Sequence, residues 1–203
     1  MTPIRVAIVD DHPVVAEGTA ALLRGQPDLD VVALADSLEA ARAAGLDRAA
    51  TADVVLLDIR LGSDSGLRFL TGTDDRPAVL VLTAYDYPQY AEAARRLGAA
   101  GLVLKTAPVA ELAGAIRVVA AGGTAFAPDV PATPPVHLTP RERDVLALVV
   151  EGHSNDEIGL ALGIGSKTVE THVARMFERF GVASRTELAT RCVREGWLDL
   201  PLD

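Results

Sequence analysis

Five polar residues stand where short apolar runs end: Asp10 and Asp11 after IRVAIV, Asp58 after VVLL, Thr83 after AVLVL, and Lys105 closing GLVLK. Three carboxylates, a hydroxyl and an amine make a set suited to phosphoryl chemistry. Desolvated acids repel one another, so three together need a compensating cation. Oxygen-only donors favour Mg2+ or a similarly hard ion, which keeps several waters and takes one or two carboxylates. An aspartate in such company is also a nucleophile able to form an acyl phosphate. Thr83 and Lys105 would then offer a hydrogen bond and a positive charge to the phosphoryl oxygens. A plain strand or helix cap explains any one of these residues, Asp10 best of all, but not the set.

The elements that must bring them together are legible as alternation. The apolar runs at 4–9, 31–35, 54–57, 78–82 and 101–105 are short and rich in Val and Leu, as strands covered on both faces should be. Between and after them lie helix-like stretches: VVAEGTAALLRG, LEAARAAGLDRAA, GLRFLTG, YPQYAEAARRLG and APVAELAGAIRVVAAGG. Repeated strand–helix units predict an α/β domain, a doubly wound five-stranded parallel sheet over residues 1–121. Ligands of such a sheet sit beyond the carboxyl ends of its strands, where the five polar residues fall. Residues 122–137, GGTAFAPDVPATPPVH, hold four prolines and no period, and read as a linker.

From 138 to 203 the pattern predicts a small all-α domain. Thr139, Pro140 and Glu142 spell a capping box with proline at the first helical position. Asn155, Ser166 and Ser184 read as further caps, and Gly152, Gly163 and Gly181 as helix ends. Over 166–180 one apolar face is made by Val169, Val173, Met176, Phe177 and Phe180. A shorter helix and a tight glycine-containing turn precede it, the parts of a helix-turn-helix.

Composition excludes several classes. No apolar run approaches the roughly 18 residues of a membrane helix, and MTPIRVAIVDDH is no secretory signal. A single cysteine, Cys192, rules out an internal disulfide and a zinc pair, reads as a small core residue, and points to the reducing cytoplasm. The net charge is −9; residues 1–135 carry 11 Lys+Arg against 17 Asp+Glu, and 136–203 carry 8 against 11. Nucleic-acid binding must therefore rest on local geometry rather than bulk charge. GIGSKT is not a phosphate loop, because Ser166 separates glycine from lysine. His12, His137, His153 and His172 show no ligand spacing, and none is assigned a metal.

IVDDHPVVAEG, the lone aspartate of VVLLDIR, VLTAYD and GLVLKTAP resemble the receiver domain of two-component response regulators of the NarL/FixJ group, over about residues 3–122. The resemblance implies that Asp58 is the phospho-acceptor. It makes Asp11, Asp58 and the backbone carbonyl of Arg60 ligands of Mg2+, with Asp10 an acid behind them. Thr83 is the implied switch hydroxyl and Lys105 the phosphate-pairing lysine. Gly62 stands where the family usually has proline, and Leu102 where a switch tyrosine or phenylalanine is frequent. Without proline to fix φ near −65°, the loop after Asp58 is expected to be looser than in most relatives and to order on binding Mg2+ or phosphate.

The stretch LTPRERDVLALVVEGHSNDEIGLALGIGSKTVETHVARMFERFGVASRTELA resembles the LuxR-type DNA-binding domain almost throughout. By that resemblance Lys167 and Thr168 begin the recognition helix near phosphates, Glu170, Thr171 and Ala174 face bases, and Arg175 lies beside them. Arg179 and Arg185 complete the expected set of phosphate contacts. The whole implies a phosphorylation-gated transcriptional regulator, not an enzyme beyond self-phosphorylation and slow self-hydrolysis. Its partners would be a sensor histidine kinase, promoter DNA and a second copy in a homodimer, with RNA polymerase an open further partner and no membrane. An aspartate-nucleophile phosphatase is disfavoured, because Arg60 stands where its second acid belongs. The competing reading is an atypical regulator whose receiver serves only as a dimerisation module.

Overall fold

A computed structural model of the chain describes residues 2–62, 64–71, 75–127 and 138–198. They form two compact units, each described in its own frame. In the first, the sheet strands are β1 (Ile4–Val9), β2 (Leu29–Ala35), β3 (Val54–Asp58), β6 (Ala78–Thr83) and β7 (Gly101–Leu104). All pairings among them are parallel and the order is β2-β1-β3-β6-β7. The order reverses at β1, which has β2 on one side and β3 on the other, so a crevice opens beyond the carboxyl ends of β1 and β3. Every residue of β3 is buried, whereas the edge strand β2 alternates. Two of the strands run further than their apolar residues: β3 includes Asp58 and β6 includes Thr83, so both polar groups are held by ladder bonds.

Helices α1 (Pro13–Arg24), α2 (Leu38–Ala43), α3 (Pro88–Arg96) and α4 (Val109–Ala120) flank the sheet. Residues Ile8, Leu23, Leu56, Leu80 and Ile116 are among those filling the core between sheet, α1 and α4. The stretch LEAARAAGLDRAA makes a shorter helix than its pattern suggests, because Gly45 turns the chain at φ +70°. The stretch GLRFLTG forms a 3-10 helix, Gly66–Leu70, instead of an α-helix. Gly66 has a steric reason to be glycine: a Cβ there would lie 1.9 Å from the carbonyl oxygen of Asp58.

Two short strands, β4 (Arg60–Leu61) and β5 (Asp64–Ser65), pair antiparallel immediately after β3. Past α4 the ordered sheet continues beyond residue 121. Ala125 bridges to Gly101, its N–H reaches Ala100 O at 2.8 Å, and its carbonyl accepts from Leu102 N–H at 3.0 Å. Arg95 covers the ring of Phe126 at 4.6 Å. The first residues read as linker therefore add to the sheet edge, while 128–137 lie outside the described residues.

The second unit comprises α5 (Pro140–Val150), α6 (Asn155–Leu162), α7 (Ser166–Phe180) and α8 (Arg185–Glu195). Thr139 and Glu142 form the expected capping box, and Ser184 caps α8. The other two caps sit one residue earlier than their sequence suggests: Ser154, in a capping box with Glu157, and Gly165. Val169, Val173 and Met176 of α7 are buried against Val145, Ile158, Leu188 and Trp197, with Phe177 and Phe180 half-buried beside them. Among the described residues no helix is long and apolar enough to cross a membrane.

The α6–α7 turn depends on two glycines with different tasks. Gly163 ends α6 at φ +66°, and Gly159 lets the turn fold back onto the helix. A Cβ at Gly159 would meet Ile164 O at 2.7 Å and Ser166 N at 3.3 Å. Overpacking against backbone costs about 1–3 kcal/mol, so Gly159→Ala should destabilise this unit by that amount. The chain's single tryptophan, Trp197, lies in this unit, so urea titration followed by its fluorescence reads the loss directly.

Candidate functional site

The carboxyl edge of the sheet gathers the expected residues. Asp10 follows β1, Asp58 ends β3, Thr83 ends β6 and Lys105 follows β7. Asp10, Asp58 and Thr83 are 3%, 5% and 2% exposed. Lys105 Nζ lies 2.6 Å from Asp58 Oδ2 and 2.7 Å from Asp10 Oδ2, so one ammonium bridges two buried carboxylates. The contact to Asp58 has hydrogen-bond geometry, while that to Asp10 is a pair by distance, its oxygen receiving no well-angled bond. Lys105 is set by its backbone, whose N–H donates to Thr83 O at 2.8 Å. The remaining oxygens face backbone donors: His12 N–H to Asp10 Oδ1 at 2.9 Å, and Arg60 N–H to Asp58 Oδ1 at a long 3.4 Å.

Three carboxylates against one ammonium leave an excess of two negative charges when all are ionised. Burial pushes the Asp58 carboxyl above its ordinary range and Asp10's charge adds to this, against the pull of Lys105. Burial acts to lower Lys105, but Asp10 and Asp58 outweigh it and hold the amine above its usual value. Asp11 Oδ1 is buried and receives no well-angled hydrogen bond, with His12 Nδ1 2.8 Å away. A buried, under-compensated set of oxygens fits a hard divalent cation. Asp11, Asp58 and the Arg60 carbonyl are the residues available to hold it.

The loop after Asp58, expected to be loose, is tied down in part. Residues 60–61 and 64–65 pair as β4 and β5, and Gly62 N–H donates to Asp11 Oδ2 at 2.7 Å. Gly62 adopts φ +60°, a left-handed conformation closed to proline. Glycine here thus supplies both the turn and a donor that proline lacks, tying the strap to the acid cluster. Thr83 Oγ1 is likewise engaged, accepting from Tyr85 N–H at 3.1 Å. Tyr85 stacks on Tyr87 with ring centroids 5.2 Å apart, and the Arg60 guanidinium sits 4.8 Å above the Tyr85 ring. Leu102 is half-buried in β7, paired with Val81. His12, set aside on sequence spacing, stands within the acid cluster.

In the second unit, α7 presents Lys167, Thr168, Glu170, Thr171, Ala174 and Arg175 to solvent. Lys167, 84% exposed, is paired with Glu170 at 2.8 Å, and Thr171 Oγ1 donates to Lys167 O at 2.9 Å. The two other arginines expected on phosphate also make contacts within the unit, the Arg179 side chain staying 41% exposed. Arg179 pairs with Glu142 at 3.1 Å and lies over Phe180. Arg185 donates to Asn155 Oδ1 at 3.0 Å and to the carbonyl of His153. Their periodic positions do not distinguish a guanidinium facing DNA from one stapling helices together. Cys192 is buried in the helical core, as its apolar neighbours suggest.

Residues 6–117 match the family model of the response regulator receiver domain, and residues 136–192 that of the bacterial regulatory proteins of the luxR family. The transcriptional regulatory protein UhpA of Salmonella typhimurium is 37% identical over 198 residues, covering 96% of this chain and all of that protein. The crystal structure of the response regulator ChrA of a heme-sensing two-component system shares 31% identity at a TM-score of 0.55, covering 97% of this chain and 100% of its own. A LuxR-family two-component response regulator from Aurantimonas sp. shares 34% identity at a TM-score of 0.56, over 63% of this chain and 92% of its own.

Raised above its ordinary value, the Asp58 carboxyl binds its proton more readily folded than unfolded. It therefore favours the folded state below the ordinary carboxylate range, and that contribution is lost as pH rises through the folded value. Asp58→Asn should accordingly leave the first unit more stable than wild type at pH 7, by a margin shrinking toward acid pH. All three tyrosines lie in this unit, at 85, 87 and 90, and report it in metal-free urea titrations. Lys105→Met should act oppositely, costing about 3 kcal/mol at pH 7, because buried carboxylates lose their cation.

Proposed function

This chain belongs to the two-component response regulators that join a receiver to a LuxR-type DNA-binding domain, and we propose that Asp58 accepts a phosphoryl group from a histidine kinase to control promoter binding. The observation that carries the reading is Lys105 bridging Asp10 and Asp58, with the third acid, Asp11, outside its reach beside them. The Asp58 Oδ attacks phosphorus as the bond from phosphorus to the donor nitrogen breaks; the electron pair leaves with the donor imidazole. Mg2+ would neutralise phosphoryl charge and is expected on Asp11, Asp58 and the Arg60 carbonyl, with Asp10 behind.

The remaining work falls to this chain's own groups. Lys105 turns its ammonium from Asp58 to a phosphoryl oxygen, and Thr83 Oγ donates its hydrogen to another. Thr83 must then give up the long bond its hydroxyl donates to the Tyr85 carbonyl at 3.4 Å, which loosens the chain between β6 and α3. That change reaches the α3–β7–α4 face, with Leu102 on β7 in place of an aromatic relay. On the DNA side, Lys167 and Arg175 supply phosphate contacts, with Thr168 beside them, while Glu170, Thr171 and Ala174 face the groove. Lys167 and Arg175 alone are few phosphate contacts for one unit, which favours a homodimer on promoter DNA, where RNA polymerase is the further partner. The proposed division is receiver 1–121 with residues to 126 added at its sheet edge, a linker up to 137, and DNA-binding domain 138–203.

Two measurements test this. Incubation with Mg2+ and a small phosphodonor such as acetyl phosphate should add one phosphoryl group to wild type and none to Asp58→Asn by intact mass. A modification that survives the substitution sinks the assignment, and none in wild type favours the dimerisation-module reading. In a DNA-binding series, Arg175→Ala should lower the salt slope by about one and leave folding unchanged. Arg179→Ala should instead lower the unfolding midpoint.

A further inference from the structure

We propose that His12 converts the acid cluster into a mixed nitrogen–oxygen site that prefers a first-row transition-metal dication, of the Mn2+ to Ni2+ kind, over Mg2+; this rests on the reading that a metal sits among Asp11 and Asp58. His12 Nδ1 lies 2.8 Å from Asp11 Oδ1, 3.3 Å from Asp10 Oδ1 and 3.9 Å from Asp58 Oδ2. One donor atom from each of the four residues falls within 4.8 Å of the others. Ligands at right angles on bonds of about 2.1 Å lie roughly 3 Å apart, and opposite ones roughly 4.2 Å. The separations from Nδ1 run from just under that span to within it, so the imidazole stands close to the spacing one octahedral ion needs.

The imidazole is held there by the backbone. His12 is the N-cap of α1, Pro13 fixes the first helical position, and His12 N–H is bonded to Asp10 Oδ1 at 2.9 Å. The side chain is 63% exposed, which leaves Nε2 free to keep its hydrogen toward water while Nδ1 offers its lone pair to an ion. Asp11 Oδ1, the nearest oxygen to Nδ1, is buried and receives no well-angled hydrogen bond, so its close neighbour is the imidazole nitrogen. Lys105 holds the Oδ2 atoms of Asp10 and Asp58, whereas the oxygens nearest His12 Nδ1 are the Oδ1 atoms of Asp11 and Asp10. Imidazole nitrogen suits the later first-row dications and adds little for Mg2+, so its effect is on selectivity.

The full chain is titrated calorimetrically with Mg2+ and with Ni2+, as wild type, His12→Gln, His12→Ala and Asp11→Asn. Mn2+-loaded wild type and His12→Gln are also compared by electron spin-echo envelope modulation, which detects a coordinated nitrogen directly. We expect His12→Gln and His12→Ala each to weaken Ni2+ about tenfold and to change Mg2+ less than twofold. The nitrogen modulation should be present in wild type and absent in His12→Gln. Equal losses for both ions, no loss for either, or no nitrogen modulation in wild type would overturn the inference and leave the phospho-acceptor reading standing. Metal binding absent from wild type, or undiminished in Asp11→Asn, would overturn both.

Discussion

The carboxyl edge of the sheet depends on one ammonium. Lys105 lies within 2.7 Å of both Asp10 and Asp58, two acids that the fold removes from water. A buried charge without a partner is costly, and the ammonium supplies that partner to both. The sheet supplies the means: β7 pairs with β6, and the Lys105 N–H holds the Thr83 carbonyl, so the stem is rooted at the edge it must span. What Lys105 cannot do is balance a third acid. Asp11 is answered by a backbone N–H from Gly62, and the site is left short of positive charge on its open side. The pairing thus balances two of the three acids and leaves a charge deficit that a divalent cation would fit.

Much of this was legible before any coordinates. Strands buried on both faces announce themselves as runs of Val and Leu, and the parallel topology then places their ends together. The buried face of α7 follows from its period, and Thr139, Pro140 and Glu142 specify their cap completely. What was not legible has a common physical cause. Gly62 acts through a backbone N–H and a positive φ, which no side-chain pattern records. Gly66 acts through the absence of a Cβ beside the Asp58 carbonyl. His12 matters because the turn into α1 swings it toward Asp58, far away in the chain. Arg179 and Arg185 sit at positions that suit either DNA or a neighbouring helix, and only packing decides between them.

The division of labour between the basic residues is consistent across both units. The chain has two lysines, and each lies at a functional edge: Lys105 among the acids, Lys167 at the start of α7. Arginines do the architectural work. Arg5 joins β1 to Asp53, Arg117 joins α4 to Asp28, and Arg76 gathers the carbonyls of Leu70, Leu97 and Gly98. A rigid fork with five donors suits fixed clusters of carbonyls and carboxylates. A compact point charge on a flexible stem suits a site whose partner must change.

Glu142 shows how such a fork sets the limits of a domain. Its Oε2 accepts from Thr139 N–H and from the Thr139 hydroxyl, each at 2.9 Å, and from Arg179 at 3.1 Å. One oxygen therefore joins the residue that opens α5 to the last turn of α7, the helix that would lie on DNA. Leu138 packs on the same core from just outside the helix. For anyone grafting this DNA reader onto a different sensor module, the transferable piece must begin no later than Leu138. A boundary drawn at the first helical residue would carry the recognition helix across with its anchor cut.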